Sequence, residues 1–190
     1  MKSPEKIKKI EAIVLYILQF FKDGVDYIKL FKIMYFAQQE YLATYGLTLD
    51  DDNFKCRLKG PVPALTYKVV KMVENGASFA EAPDLKSFAD AINIGTDQII
   101  HAKKKPNMDY IADMEKNQLD KTIAKYKDMS SEDLSRLSHD SAYKAAKRRM
   151  SLDPQKDMLT LIEIAKAGGA DKDMLRHIRD VQIIRASLED

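Results

Sequence analysis

The chain has 190 residues, 45% of them hydrophobic and 32% charged, the balance of a soluble globular protein. That length fits one compact domain, or one domain with a helical extension, and buries about 70% of the unfolded surface without a metal or disulfide staple. Lysine and arginine number 31 against 29 aspartates and glutamates, a net charge of +2, which gives no electrostatic case for a dedicated nucleic-acid binder.

The opening stretch, MKSPEKIKKIEAIVLYILQFF, places basic residues before apolar ones, as a signal peptide does. Gln19 interrupts the apolar run from Ile13 to Phe21, and no small-residue cleavage site follows. The run is also well short of the ~20 residues that span a bilayer. A single cysteine, Cys56, excludes an intrachain disulfide and suits a reducing compartment. The expectation is a cytoplasmic protein with no membrane segment.

Ile7, Ile10, Val14, Ile17 and Phe21 recur at helical spacing, with Ile13 and Phe20 widening the stripe, which predicts a first helix over about 4–22 closed by Asp23-Gly24. Asp26 is placed to cap a second helix, apolar on two faces and therefore central, which Gly46 stops. Asp50, Asp51 and Asp52 read as a solvated loop. Phe54, Cys56 and Leu58 alternate with Lys55, Arg57 and Lys59, the period of a half-buried strand. Gly60-Pro61-Val62-Pro63 reads as a stiff corner that breaks this strand and opens a third helix, with Pro63 in its first turn and Asn75-Gly76 at its end.

Beyond it the pattern weakens. A short helix is expected around 85–92, a strand over 98–102, and a third strand near 108–111 that completes one small antiparallel sheet with the Phe54 strand. Lys103, Lys104 and Lys105 look like lysine protection of a sheet edge. Helix returns over about 114–127, with Leu119, Ile123 and Tyr126 as its inner face. Ser130 and Asp133 resemble a capping box, and another helical piece runs from Ser141 to Met150. The last forty residues read as a helical hairpin, with Asp153-Pro154 starting one helix, Gly168-Gly169 ending it and Asp171 starting the next. The fold class is mainly α with a small antiparallel sheet (α+β): a compact helical domain over 1–150 and a C-terminal hairpin over 151–190, packed on or continuing it.

Three motifs stand in order. They are Lys29-Leu30-Phe31-Lys32-Ile33-Met34-Tyr35-Phe36, then Gly60-Pro61-Val62, then Leu134-Ser135-Arg136-Leu137-Ser138-His139. This pattern resembles the SocA-like antitoxin domain, also called the Panacea domain, over roughly Ile10 to Arg149. That family carries a Lys-Leu-x-Lys-Leu-x-Tyr-Phe helix, a Gly-Pro-Val turn after a short strand, and a Leu-Ser-x-x-Ser/Thr-His stretch. A proline-tryptophan pair usually follows; here Ala142-Tyr143 stands in its place, and the chain has no tryptophan. The pocket an indole fills in relatives must be filled by Tyr143 or lost. The resemblance implies a protein that binds a toxin encoded by an adjacent gene, and for the namesake type delivery of that toxin to an ATP-dependent protease. It also implies an association with phages and mobile elements.

The residues themselves offer little chemistry. Ser138, His139 and Asp140 are neighbours in sequence and point in different directions, so they form no triad by adjacency, and His139 reads as a polar joint between two helices. His101, His139, His177 and Cys56 lack zinc-ligand spacing, and Asp50 to Asp52 lack the alternation of a calcium loop. No catalytic residue, metal site or cofactor is expected. Lys144, Lys147, Arg148 and Arg149 form a basic cluster, read as a solvated face; it is the sole support for an operon-level nucleic-acid regulator. A rigid corner lowers the ordering cost of association. The partner-binding set is therefore Tyr35, Lys59, Gly60, Pro61, Val62, His139 and Tyr143. The leading expectation is a non-enzymatic antitoxin acting by protein–protein contact. The alternatives are a proteolytic adaptor and, from a different class, an operon-level nucleic-acid-binding regulator; a hydrolase built on His139 is the fourth reading.

Overall fold

Ser3 accepts the Lys6 amide, and Pro4 needs no partner in the first turn, so helix α1 (Pro4–Leu18) starts where its sequence permits. It ends earlier than the apolar stripe predicts. The Phe20 and Phe21 amides bond to Ile17 and Leu18, three residues back, and this tightened turn leaves Phe20 45% exposed. The computed structural model describes residues 3–80 and 82–189. These are mainly helical with two small antiparallel sheets, an α+β architecture dominated by helix.

Helix α2 (Tyr27–Tyr45) is the axis of the molecule. Asp26 caps it by accepting the Ile28 amide, and Gly46, at φ 69°, ends it in the left-handed conformation. Protein surrounds most of its circumference: α1, α5 (Asp113–Tyr126), α6 (Ser131–Leu137), α8 (Leu161–Ala167) and strand β3 (Gly60–Pro63) all pack against it. Aromatic edges fix these contacts. Tyr35 meets Phe54 edge-on at 5.3 Å, and Phe36 stacks on Tyr126 at 4.6 Å.

The single expected sheet is instead two. Strand β2 (Phe54–Arg57) forms a tight hairpin with β3 through Leu58 and Lys59, so Gly-Pro-Val-Pro is a strand and not only a corner. Pro63 then stands as the cap of α3 (Ala64–Glu74) rather than inside its first turn. The other sheet is three-stranded, in the order β1 (Val25–Asp26), β5 (Ile99–Ala102), β4 (Ile92–Ile94). Ile92, expected to end a helix, instead begins β4 and pairs with β5, while the helix α4 spans only Lys86–Asp90. Met108–Tyr110 is a single 3-10 turn capped by Asn107, not a strand. Since β5 lies in the middle, Lys103 to Lys105 follow a central strand and guard no edge.

Asp50 and Asp52 are buried, contrary to the solvated loop expected of them. Asp52 accepts the Leu65 amide at 2.8 Å, the Thr66 amide at 2.9 Å and the Thr66 hydroxyl at 2.8 Å, supplying the cap that Pro63 cannot. No helix starts at Pro154. After α7 (Ser141–Leu152) the chain turns and runs back along β2, where Cys56 donates to the Asp157 carbonyl and Leu159 donates to Phe54. Thr160 and Glu163 then form a reciprocal capping box for α8, and α9 (Lys172–Glu189) follows.

One detail of the hairpin follows from register. Cys56 pairs with Pro61, yet its N–H points away to Asp157. Alternation along an antiparallel ladder then turns the Pro61 and Pro63 backbone groups outward on β3. Neither has an N–H to offer.

Candidate functional site

All three sequence motifs meet at the hairpin. Lys32 lies on α2 where no face is left to water, and its side chain is fully buried. Its ammonium donates to the Pro61 carbonyl at 2.7 Å. Burial pushes the amine down to about 7, with the Cys56 thiol acting the other way. From the opposite side, the Ser135 hydroxyl on α6 donates to the Lys59 carbonyl at 2.8 Å. The Ser138 hydroxyl donates to the Ser135 carbonyl at 2.8 Å and presses on the Gly60 backbone. Gly60 sits at φ 99°, and a Cβ there would fall 2.2 Å from Ser138 Oγ and 2.9 Å from Lys32 Nζ. Only glycine fits between the lysine and the serine.

Asp140 joins the third motif to the first. It caps α7 through the Ala142 and Tyr143 amides at 2.9 and 3.1 Å. Its other oxygen accepts the Tyr35 hydroxyl and the Gln39 amide, both at 2.8 Å. Burial, reinforced by the Asp140 charge, pushes the Tyr35 hydroxyl far up, so it stays protonated and donates.

Tyr143 is buried, its ring parallel to His139 at 4.2 Å, and its hydroxyl donates to the Arg57 carbonyl at 3.1 Å. His139 therefore joins the helices by stacking, where a polar joint was expected to bond to backbone groups. Its Nε2 is buried with no hydrogen-bond partner among the described residues. Burial and the charges of Lys32 and Lys147 lower its pKa, so the imidazole is neutral at pH 7.

Of the seven residues expected to meet a partner, Lys59 is exposed and His139 is partly buried. Tyr35, Gly60, Pro61, Val62 and Tyr143 are buried and lie behind the surface. Five residues of the junction stood outside that set: Lys32, Gln39, Ser135, Ser138 and Asp140. A lysine on a helix apolar on two faces is the signal that points to Lys32. The pairing of Tyr35 with Asp140 spans 105 positions and leaves no local signal. Arg149 leaves the basic cluster for the interior side, where its guanidinium bonds to the Glu163 carboxylate and to the Met158 carbonyl. Lys144, Lys147 and Arg148 remain exposed.

Among the described residues no set of three or more His, Cys, Asp or Glu side chains is arranged to hold a metal ion, and no helix is long and apolar enough to cross a membrane. No curated protein and no solved structure gave a significant match to the chain. The family described as antitoxin SocA-like, Panacea domain, matches residues 30–144, which hold Lys32, the hairpin and the Ser135–Asp140 link. With more than half of its length matched, the chain belongs to the SocA-like antitoxin family.

Proposed function

We propose that this chain neutralises a protein toxin encoded by a neighbouring gene, by direct contact in the cytoplasm and without transforming a substrate. Membership of an antitoxin family supports the general role. One observation favours contact over chemistry: the motif side chains are engaged inside the chain. Lys32 holds Pro61, Ser135 holds Lys59, and Asp140 holds Tyr35 and Gln39. A general acid or base must reach a reactant proton, and groups committed to the backbone instead preserve a shape. The preserved shape is the hairpin tip, where Leu58 is 89% exposed beside Lys59. In this reading Lys59 touches the partner, while Tyr35, Gly60, Pro61, Val62, His139 and Tyr143 keep the tip rigid, which lowers the entropy lost on association.

Co-expression tests this. The neighbouring gene product alone should arrest growth, and this chain should relieve the arrest. A harmless neighbour, or one that stays toxic in the presence of the folded chain, refutes the proposal.

A further inference from the structure

Beside the hairpin tip lies a hollow of about 340 Å³. Tyr27, Phe31, Val62 and Tyr67 form its floor, with Ile28 at one side. The rings are fixed: Phe31 packs on Tyr27 at 5.4 Å and on Tyr67 edge-on at 6.0 Å. Leu58 stands on the lip, 89% exposed, and extends the apolar surface of the rings rather than standing alone. Gln98, at φ 63°, closes one end and is held there by the bond from the Tyr27 amide to its carbonyl. Its left-handed conformation is the one that closes the short loop between β4 and β5.

The charged side chains on the rim of this hollow have one sign. They are Arg57 and Lys59, and no aspartate or glutamate lines it; Lys32 beneath, its buried amine held at about 7, adds only part of a charge. Arg57 does bond to Asp157, at 2.8 Å, but Lys55 draws on the same carboxylate at 3.5 Å, so that group is left positive. Acidic residues stand outside the lining: Asp157 on Arg57, Glu74 accepting the Tyr27 hydroxyl at 3.4 Å, and, past Ile28 and Lys59, Asp26 and Glu132 in an adjoining hollow. Aromatic rings beside an arginine match the enrichment of interface centres, and a lysine such as Lys59 belongs to the polar rim.

We propose that this hollow docks a partner polypeptide through one or two large apolar side chains, with an aspartate or glutamate of the same segment lying against Arg57 and Lys59. The inference rests on the antitoxin reading for the kind of partner, but its chemistry is tested without the toxin. Random peptides displayed on phage are selected against the full chain. Enriched sequences should pair Leu, Ile or Phe with a nearby Asp or Glu. A synthetic peptide from that pool should lose about three- to five-fold in affinity against Lys59→Glu, the size of one exposed ion pair. It should recover when its own acid is changed to lysine. The Lys59 side chain takes no part in the fold contacts, because Ser135 bonds to the backbone carbonyl, so this variant folds normally. Enrichment of basic or purely polar peptides, no enrichment at all, or an affinity indifferent to Lys59→Glu overturns the proposal. Neutralisation in the co-expression assay would survive any of these results, so the two failures are distinguishable.

Discussion

Lys32 Nζ donates to the Pro61 carbonyl at 2.7 Å, tying the central helix to strand β3 of the hairpin through a fully buried amine. The amine is held near 7 in the fold against an ordinary 10.5. Between those values the unfolded chain carries a proton here that the folded chain does not. The contribution of Lys32 to stability therefore rises with pH from about 7 upward, and its penalty is complete below that. Denaturant titrations should show wild type gaining about 2 kcal/mol over Lys32→Met between pH 7 and 9. Buried tyrosines act in the opposite sense at higher pH, so the comparison stops there. A difference that does not change with pH contradicts the assignment.

Gly60→Ala places a methyl group between Ser138 and Lys32 at a backbone angle that alanine rarely adopts. The expected loss is about 3 kcal/mol, from strain and steric overlap together. Adding Ser138→Ala should restore part of it, since the hydroxyl contact goes while the strain remains. Full recovery in the double variant would show that the backbone angle costs nothing.

Tyr35 and Asp140 should behave as one unit. Tyr35→Phe leaves a carboxylate oxygen with the Gln39 amide still bound, at a cost of about 1–2 kcal/mol. Asp140→Ala also removes the α7 cap and should cost about 3 kcal/mol. In a double-mutant cycle the two should couple by at least ~0.5 kcal/mol. Strict additivity would mean the hydrogen bond contributes nothing to stability.

The three consecutive aspartates should separate sharply. Asp51 lies 3.8 Å from Lys6 with its side chain 30% exposed, and Asp51→Ala should change stability by less than about 0.5 kcal/mol. Asp52→Ala strips three hydrogen bonds from the start of α3 and should cost about 2–3 kcal/mol. Equal effects on the melting temperature would refute the cap.

The central helix was readable because its signals are local: an aspartate cap, apolar residues on two faces and a terminal glycine. Strand β2 was readable from its alternation. What sequence could not reveal depends on distant partners. Gly-Pro-Val-Pro has the composition of a breaker, and it becomes a strand because β2 and Lys32 hold it. Asp153-Pro154 has the form of a helix start, but the chain after it satisfies the free edge of β2 instead. Strand β1 has two residues, too few to show a period. At the site, the motifs marked elements that meet at the hairpin, while several of the residues expected to touch a partner lie beneath the surface. A motif tyrosine or glycine gives no sequence sign of whether it touches a partner or supports the residue that does.

The two outward prolines of β3 limit what the hairpin can join. The 157–159 segment already occupies the outer side of β2, and on the other side the backbone has no hydrogen to give to an incoming strand. That side is also buried against the central helix, with the Pro61 carbonyl held by Lys32, so the hairpin has no open edge for strand pairing between copies. Whatever settles on this tip meets Leu58 and Lys59 rather than a sheet edge, so the tip selects its company by sequence and not by strand addition.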